Sequence, residues 1–183
     1  MPLGPALIAL AGLPGAGKTT LARNAQTLAQ REGIDVRVLS RDEVRAALFA
    51  PCDWTEDEKL VAFEAMLGGA VHHLERNRWV ILEGMPFTRR SEAEAVRIVA
   101  REFGASALVV HCHVTIEVAQ ARIDNDRAAG TPHAGRELDD DLVASVAARS
   151  EELDPDLVLD MTQPLETTTA LLLQELQRVT TLE

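Results

Sequence analysis

The sequence predicts an α/β protein in which a mainly parallel β-sheet is covered by helices on both faces. One observation is that short apolar runs alternate along the chain with segments of helical periodicity, the pattern of successive strand–helix–strand crossovers. Another is that the first apolar run leads directly into a glycine-rich turn that opens a helix. The alternation of strands and helices implies right-handed crossovers and a sheet whose strands lie mainly parallel.

Length and composition favour a single domain over residues 1–183. A chain of 183 residues can bury a substantial core. Apolar residues make up 46% of the chain and aromatic residues only 3%, so aliphatic side chains must supply most of the burial.

The bounds of the elements follow from the apolar runs and from the residues that interrupt them. The predicted strands are Ala6–Ala11, Val36–Leu39, Trp79–Glu83, Ala107–Cys112 and Leu157–Leu159. The predicted helices are Lys18 to about Arg31, a short helix to about Phe49, Thr55 to about Arg76, Ser91–Phe103, a helix from about Ile116, Asp139–Leu153 and Leu165–Val179. The turn-rich stretch 128–136 between two helices predicts a mobile flap.

The turn after the first strand carries the most specific motif. It reads Gly12-Leu13-Pro14-Gly15-Ala16-Gly17-Lys18-Thr19 and fits G-x-x-x-x-G-K-[ST] at every fixed position. In this motif backbone N–H groups surround phosphate oxygens, the lysine reaches the β- and γ-phosphates, and the hydroxyl holds Mg²⁺. The helix that follows directs its positive end at the same anion. A dinucleotide-binding turn is excluded because the glycines are spaced G-x-x-G-x-G.

Charged residues follow the second strand. Asp42 and Arg45 lie in the run 40–45, at the strand end where open α/β sheets place their ligands. The alternative for Asp42 is a helix N-cap, a position that Asp favours. The alternative for Arg45 is a solvated helix face, where charge pairs contribute little.

The third strand ends in a carboxylate. Residues 79–83 form a continuous apolar run that finishes at Glu83, the pattern of a buried parallel strand that points an acid at the ligand crevice. A purely structural acid at the strand end is the alternative.

Charge and cysteine content limit the classes of partner. A net charge of −11 and a pI near 4.9 disfavour broad binding to nucleic acid or to an anionic membrane, although a local arginine cluster can still bind phosphates. Cys52 and Cys112 lack metal or redox spacing, and two free thiols fit a reducing cytoplasm. No run approaches the roughly 20 apolar residues of a membrane span.

In motif content the chain resembles the small P-loop kinases. The nearest resemblance is to the polynucleotide-kinase-like and zeta-toxin-like ATP-binding group, and gluconate and adenylylsulfate kinases are more distant. The resemblance covers most of the chain and rests on residues 12–20, 41–45, 81–84 and 121–127. It implies a three-layer P-loop NTPase fold with a five-stranded parallel sheet in the order 2-3-1-4-5. It also implies ATP and Mg²⁺ as cosubstrates and transfer of the γ-phosphoryl group to a hydroxyl.

The resemblance also implies roles for residues around the loop. Asp42 resembles the carboxylate that deprotonates the acceptor hydroxyl, and Arg45 resembles its acceptor-side partner. Arg122 and Arg127 resemble arginines of a lid, here about 122–140, that stack on adenine and close on the phosphates. The nucleotide-binding stretch extends through Thr20.

Two departures from the family pattern concern the acceptor pocket. Glu83 stands where relatives commonly have Asp, and Met85-Pro86-Phe87 replaces a small hydroxyl residue. Glu83 is one methylene longer than Asp, so the sequence leaves open whether it serves the metal, alongside Thr19, or the acceptor.

The resulting hypothesis is an ATP- and Mg²⁺-dependent kinase for a small-molecule hydroxyl, such as that of a metabolite, sugar, nucleoside or antibiotic. The first alternative is a 5′-hydroxyl polynucleotide kinase. A second is a nucleotide-dependent switch or ATPase that a partner reads, and a third is a toxin-like kinase for nucleotide sugars with a small antitoxin partner. The acceptor and the oligomeric state are left open.

Overall fold

The computed structural model describes residues 3–130 and 141–181. Its elements in chain order are β1 Ala6–Ala11, α1 Lys18–Arg31, β2 Val36–Ser40, α2 Arg41–Leu48, α3 Glu56–Leu74, β3 Trp79–Glu83, α4 Arg90–Glu102, β4 Ser106–His113, α5 Ile116–Ala128, α6 Leu142–Arg149, β5 Leu157–Asp160 and α7 Leu165–Thr180.

The five strands form one parallel sheet in the order β2-β3-β1-β4-β5, which confirms the predicted topology. β1 lies at the centre, with Ile8 in register with Ile81 of β3 and Leu108 of β4. Every residue of β1 is buried. A central parallel strand is covered on both faces, so its sequence is apolar at every position instead of alternating.

Helices cover the two faces of the sheet and make three layers. Ala6, Ile8 and Leu10 of β1 point into a core shared with α1 and α7. Leu7, Ala9 and Ala11 point into a second core shared with α3 and α4. This division follows from the two-residue period of a strand, which sends successive side chains to opposite faces.

The helix after the predicted flap is shorter than expected. α6 ends at Arg149 instead of Leu153, and the predicted start at Asp139 lies outside the described residues. Residues after Arg149 leave the helix because they bind the start of α4: Glu151 N donates to Thr88 O at 2.8 Å, and Arg90 N donates to Glu151 Oε2 at 2.8 Å. Residues 131–140 of the predicted lid likewise lie outside the described chain.

The order of the strands brings the predicted site residues to one edge of the sheet. Ser40, the last residue of β2, is in register with Glu83, the last residue of β3. The phosphate loop leaves the neighbouring strand β1 at the same edge. Both cysteines are free thiols, as predicted, and no helix in the described residues is long and apolar enough to cross a membrane.

Candidate active site

The phosphate loop uses backbone conformations that glycine adopts readily. Gly12, Gly15 and Gly17 have positive φ angles of 140°, 79° and 91°. At Gly12 a side chain is also excluded by space, since a Cβ there would lie 2.5 Å from the carbonyl oxygen of Cys112 on β4. The fixed glycines of the motif therefore serve the close approach of the loop to β4 as well as its curvature.

Lys18 is held under the loop. It is only 9% exposed, and its Nζ donates to the carbonyl oxygens of Gly12 at 2.9 Å and Leu13 at 2.8 Å. Burial lowers the pKa of this ammonium group. Two carbonyl oxygens only partly compensate a desolvated cation, so a phosphate group in the loop is a stronger partner for it.

A hydrogen bond between Thr19 and Glu83 joins the phosphate loop to the end of β3. Thr19 Oγ1 donates to Glu83 Oε2 at 2.5 Å, and Glu83 is 2% exposed at the end of β3. A hydroxyl and a carboxylate are the oxygen ligands that Mg²⁺ prefers, and Mg²⁺ commonly takes only one or two protein groups beside substrate phosphates. No cluster of three or more metal-binding side chains occurs in the described parts of the chain. The Thr19 hydroxyl and the Glu83 carboxylate fit a magnesium ion that also binds nucleotide phosphates.

Asp42 lies in the first turn of α2, but it does not cap that helix. Ser40 occupies the N-cap position, so the capping interpretation of Asp42 is wrong. Asp42 lines the same cleft as the phosphate loop. Burial raises the pKa of its carboxyl and outweighs the opposing effects of Arg41 and Arg45. A half-buried carboxylate with a raised pKa is suited to accept a proton.

Arg45 lies one turn further along α2 and is 1% exposed, so the alternative of a solvated helix face is wrong. Its Cζ lies 4.7 Å from the centroid of the Trp54 ring. Arg45 Nε and Nη2 are buried without a hydrogen-bond partner in the described residues, and so is Arg41 Nε. Unpaired buried donors are rare and costly in proteins, so an anion bound beside these three nitrogens would be stabilising.

The turn that carries Trp54 is fixed by a residue that the sequence reasoning did not single out. Glu58 is 8% exposed, and its two carboxylate oxygens accept from Asp53 N at 2.9 Å and Trp54 N at 2.7 Å. Glu58 N in turn donates to the side chain of Thr55, the N-cap of α3, at 3.2 Å. The spacing Thr55-x-x-Glu58 is a capping-box signal that was present in the sequence. Its link to Trp54 and Arg45 depends on the tertiary structure.

One cleft joins these groups. Its volume is about 1620 Å³, and it is lined by the phosphate loop, Glu83, Asp42, Arg45 and the apolar side chains of Phe63 and Leu67. Ligand pockets usually measure roughly 300–1,000 Å³. The cleft is therefore large enough for two ligands side by side. We call the part around residues 12–19 and Glu83 the donor half, and the part around Asp42, Arg45 and Trp54 the acceptor half.

The two predicted lid arginines lie at different places on α5. Arg122 Nη2 donates to Met161 O at 2.7 Å and Nη1 donates to Ala16 O at 3.3 Å, so Arg122 lies against the phosphate loop. Arg127 pairs with Asp124 at 3.8 Å and is not part of the cleft lining formed by the described residues. Its predicted catalytic role stays a prediction, as does adenine stacking by Arg122.

Comparison with known proteins agrees with the fold and with the motif content. Residues 7–153 match the family model described as an AAA domain. A probable adenylyl-sulfate kinase of Aeropyrum pernix is 30% identical over 113 residues, which cover 59% of this chain and 58% of that protein. The chain thus spans little more than half the length of this curated relative.

Solved kinases share the fold across nearly the whole chain. The APS kinase CysC of Mycobacterium tuberculosis, solved with AMPPNP and APS, superposes with a TM-score of 0.76 at 18% identity and covers 96% of this chain and 99% of its own. A gluconokinase of Sinorhizobium meliloti superposes with a TM-score of 0.65 at 18% identity, with coverages of 98% and 95%. The comparisons confirm the prediction of a small P-loop kinase-like group.

Proposed function

Since the chain belongs to the AAA domain family, we propose that it is an ATP-dependent phosphotransferase that moves the γ-phosphoryl group to a hydroxyl of a small molecule. The observation that carries the proposal is the position of Asp42, a carboxyl with a raised pKa, in the same cleft as the phosphate loop. A protein that only hydrolyses ATP or switches with it has no need of a second, acceptor-side half.

The donor half supplies the groups that hold ATP. Backbone N–H groups of the loop and the Lys18 ammonium neutralise the phosphates, and Arg122 lies behind the loop at Ala16. Thr19 Oγ1 and Glu83 Oε2 would hold Mg²⁺. When bound, the metal neutralises charge on the β- and γ-phosphate oxygens.

The acceptor half supplies the proton acceptor. The acceptor oxygen forms a bond to the γ-phosphorus while the bond from that phosphorus to the bridging oxygen of ADP breaks. The hydroxyl proton passes to the Asp42 carboxylate, and the electron pair of the broken bond leaves with ADP. The loose transition state of phosphoryl transfer needs positioning and charge neutralisation more than covalent help.

Arg45 narrows the class of acceptor. The unpartnered nitrogens Nε and Nη2 lie on one edge of the guanidinium, the edge that binds carboxylate, sulfate or phosphate groups through two parallel hydrogen bonds. We therefore expect the acceptor to carry such a group beside its hydroxyl. Adenylyl sulfate, which gives the archaeal relative its name, is one anion of this class.

The test is ³¹P NMR of the protein with MgATP and a panel of acceptors. The panel contains adenylyl sulfate, gluconate, neutral sugars, nucleosides, aminoglycoside-type antibiotics and 5′-hydroxyl oligonucleotides. We expect ADP to appear together with a new phosphoester signal for an anionic small molecule.

Two outcomes contradict the proposal. ADP that accumulates without a phosphoester in any sample would identify a nucleotide-dependent switch or ATPase. A phosphoester formed on the oligonucleotides alone would identify a polynucleotide kinase.

We further propose that the protein acts in the cytoplasm, where its two free thiols stay reduced.

A further inference from the structure

The acceptor half contains a residue that the phosphoryl-transfer chemistry does not use. Glu58 lies in the first turn of α3 and is nearly buried. Burial of a carboxylate is costly unless hydrogen bonds satisfy it. Both of its oxygens are used on one short turn, since each accepts one N–H, from Asp53 and from Trp54.

That turn is held in a conformation that its sequence disfavours. Trp54 has φ 60°, in the left-handed region that costs bulky L-residues free energy. Such a conformation persists where neighbouring contacts over-determine it. The hydrogen bonds that Glu58 accepts from two successive N–H groups are contacts of this kind.

The consequence of that conformation is the stack on Arg45. Arg45 Cζ lies over the Trp54 ring, 4.7 Å from the ring centroid. An aromatic ring attracts a cation that lies over its face. Guanidinium N–H groups point outward in the plane of the group, so a stacked face leaves them directed at an in-plane ligand. On Arg45, Nε and Nη2 are buried without a hydrogen-bond partner in the described chain.

We propose that Glu58 is a positioning residue of the acceptor half, which fixes Trp54 against Arg45 and so orients Arg45 toward an anionic group. The proposal rests on the proposed function only for the identity of that anion as part of the acceptor. Glu58 acts through Trp54 and contacts neither ligand.

The chain offers a graded series of variants and a matched control. Glu58→Gln retains one carbonyl oxygen and so keeps one of the two bonds to the turn. Glu58→Ala removes both. Thr55→Ala removes the N-cap contact of the same helix at Glu58 N but leaves both hydrogen bonds that Glu58 accepts from the turn. Thr55→Ala should therefore lose the stability that a helix cap contributes, while Trp54 stays held by Glu58.

The first measurement is acrylamide quenching of tryptophan fluorescence. The chain has two tryptophans, of which Trp79 is 1% exposed, so the accessible signal belongs to Trp54, and Trp54→Phe removes it. We expect the accessibility of Trp54 to rise in the order wild type, Glu58→Gln, Glu58→Ala, with Thr55→Ala equal to wild type.

The second measurement uses sulfate as the probe, with the phosphate loop filled by saturating MgADP. In the wild type we expect a saturable change of Trp54 emission, which Arg45→Met abolishes. Loss of a charge-assisted contact is worth about tenfold, and Glu58→Ala should raise the sulfate midpoint by about that factor, with Glu58→Gln between. With an acceptor from the NMR panel, its KM should rise in parallel while the KM for ATP stays constant.

The outcomes separate the two proposals. An equal midpoint in Glu58→Ala and Thr55→Ala, a lower midpoint in Glu58→Ala, or no sulfate response in the wild type overturns the role of Glu58, whatever the protein phosphorylates. A shifted midpoint in a protein that phosphorylates no compound of the panel supports Glu58 and contradicts the proposed function.

Discussion

The donor and acceptor halves of the cleft are built in different ways. In the donor half the polar groups satisfy one another: Lys18 donates to two loop carbonyls and Thr19 donates to Glu83. In the acceptor half three buried nitrogens, Nε of Arg41 and Nε and Nη2 of Arg45, have no such partner within the described chain. The donor half is therefore formed before ligand binds, while the acceptor half holds donors that a ligand must complete.

This difference has a chemical reason. The donor half binds the phosphates of a nucleotide, largely through backbone N–H groups whose positions follow from the loop itself. Under the proposed function the acceptor half recognises one hydroxyl compound among many, and side chains from α2, α3 and the turn between them line it. Four predictions test whether the two halves can be separated.

The largest effect is expected at Lys18. Lys18→Ala should lower phosphoryl transfer by about a thousandfold, because a preorganised charge on the transferred group is lost, and it should weaken MgATP binding measured by calorimetry. Arg31→Ala removes a cation of the same helix at its far end and should leave both unchanged. Unaltered ATP affinity in Lys18→Ala would show that the donor half is not where the loop places it.

Substitution of Asp42 should affect phosphoryl transfer but not nucleotide binding. Asp42→Asn should lower kcat by roughly a hundredfold, the range of general-base catalysis, without a change in MgATP affinity. Glu43→Gln is the matched control, since it removes an adjacent carboxylate that is exposed and paired with Arg23. If Asp42→Asn retained full kcat with its acceptor, the assignment of the base would be wrong.

Gly84 links the halves, because it follows Glu83 and lies under the start of α2. Its φ is 79°, and a Cβ there would lie 3.0 Å from Ser40 Oγ and 3.2 Å from Asp42 N. Gly84→Ala should cost about 2 kcal/mol of unfolding free energy through backbone strain and displacement of α2, measured by urea denaturation, and should lower kcat.

Gly33→Ala is the control for strain alone. Gly33 has φ 80°, but a Cβ there meets no atom within 4 Å, so it should cost about 1 kcal/mol and leave kcat unchanged. Equal costs for the two glycines would mean that α2 adjusts freely to the added methyl group.

The smallest effect concerns pH. The acid limb of kcat/KM reports protonation of the general base, and burial places the pKa of Asp42 above that of an ordinary Asp. Arg41, Arg45 and Lys18 favour the ionised form of Asp42, while Glu83 opposes it. Removal of one cation in Arg45→Met should therefore move the limb to higher pH. A shift to lower pH would contradict the assigned charge environment.

The sequence by itself determined the donor half and the architecture. Strand and helix periodicity and the loop motif are local patterns, and β1, α1 and β3 begin and end where those patterns predict. Resemblance to a family added the strand order, which depends on long-range pairing that no local pattern records.

Tertiary structure alone decided the state of the acceptor half. Sequence spacing could not show whether Arg45 would be buried or solvated, since helical periodicity fixes only which residues of α2 share its face. Nor could the capping-box spacing of Thr55 and Glu58 show that the carboxylate would fix Trp54 against Arg45. Burial and ring contacts depend on which elements meet in space, and here the contact of α2 with the turn before α3 buries Arg45 against Trp54.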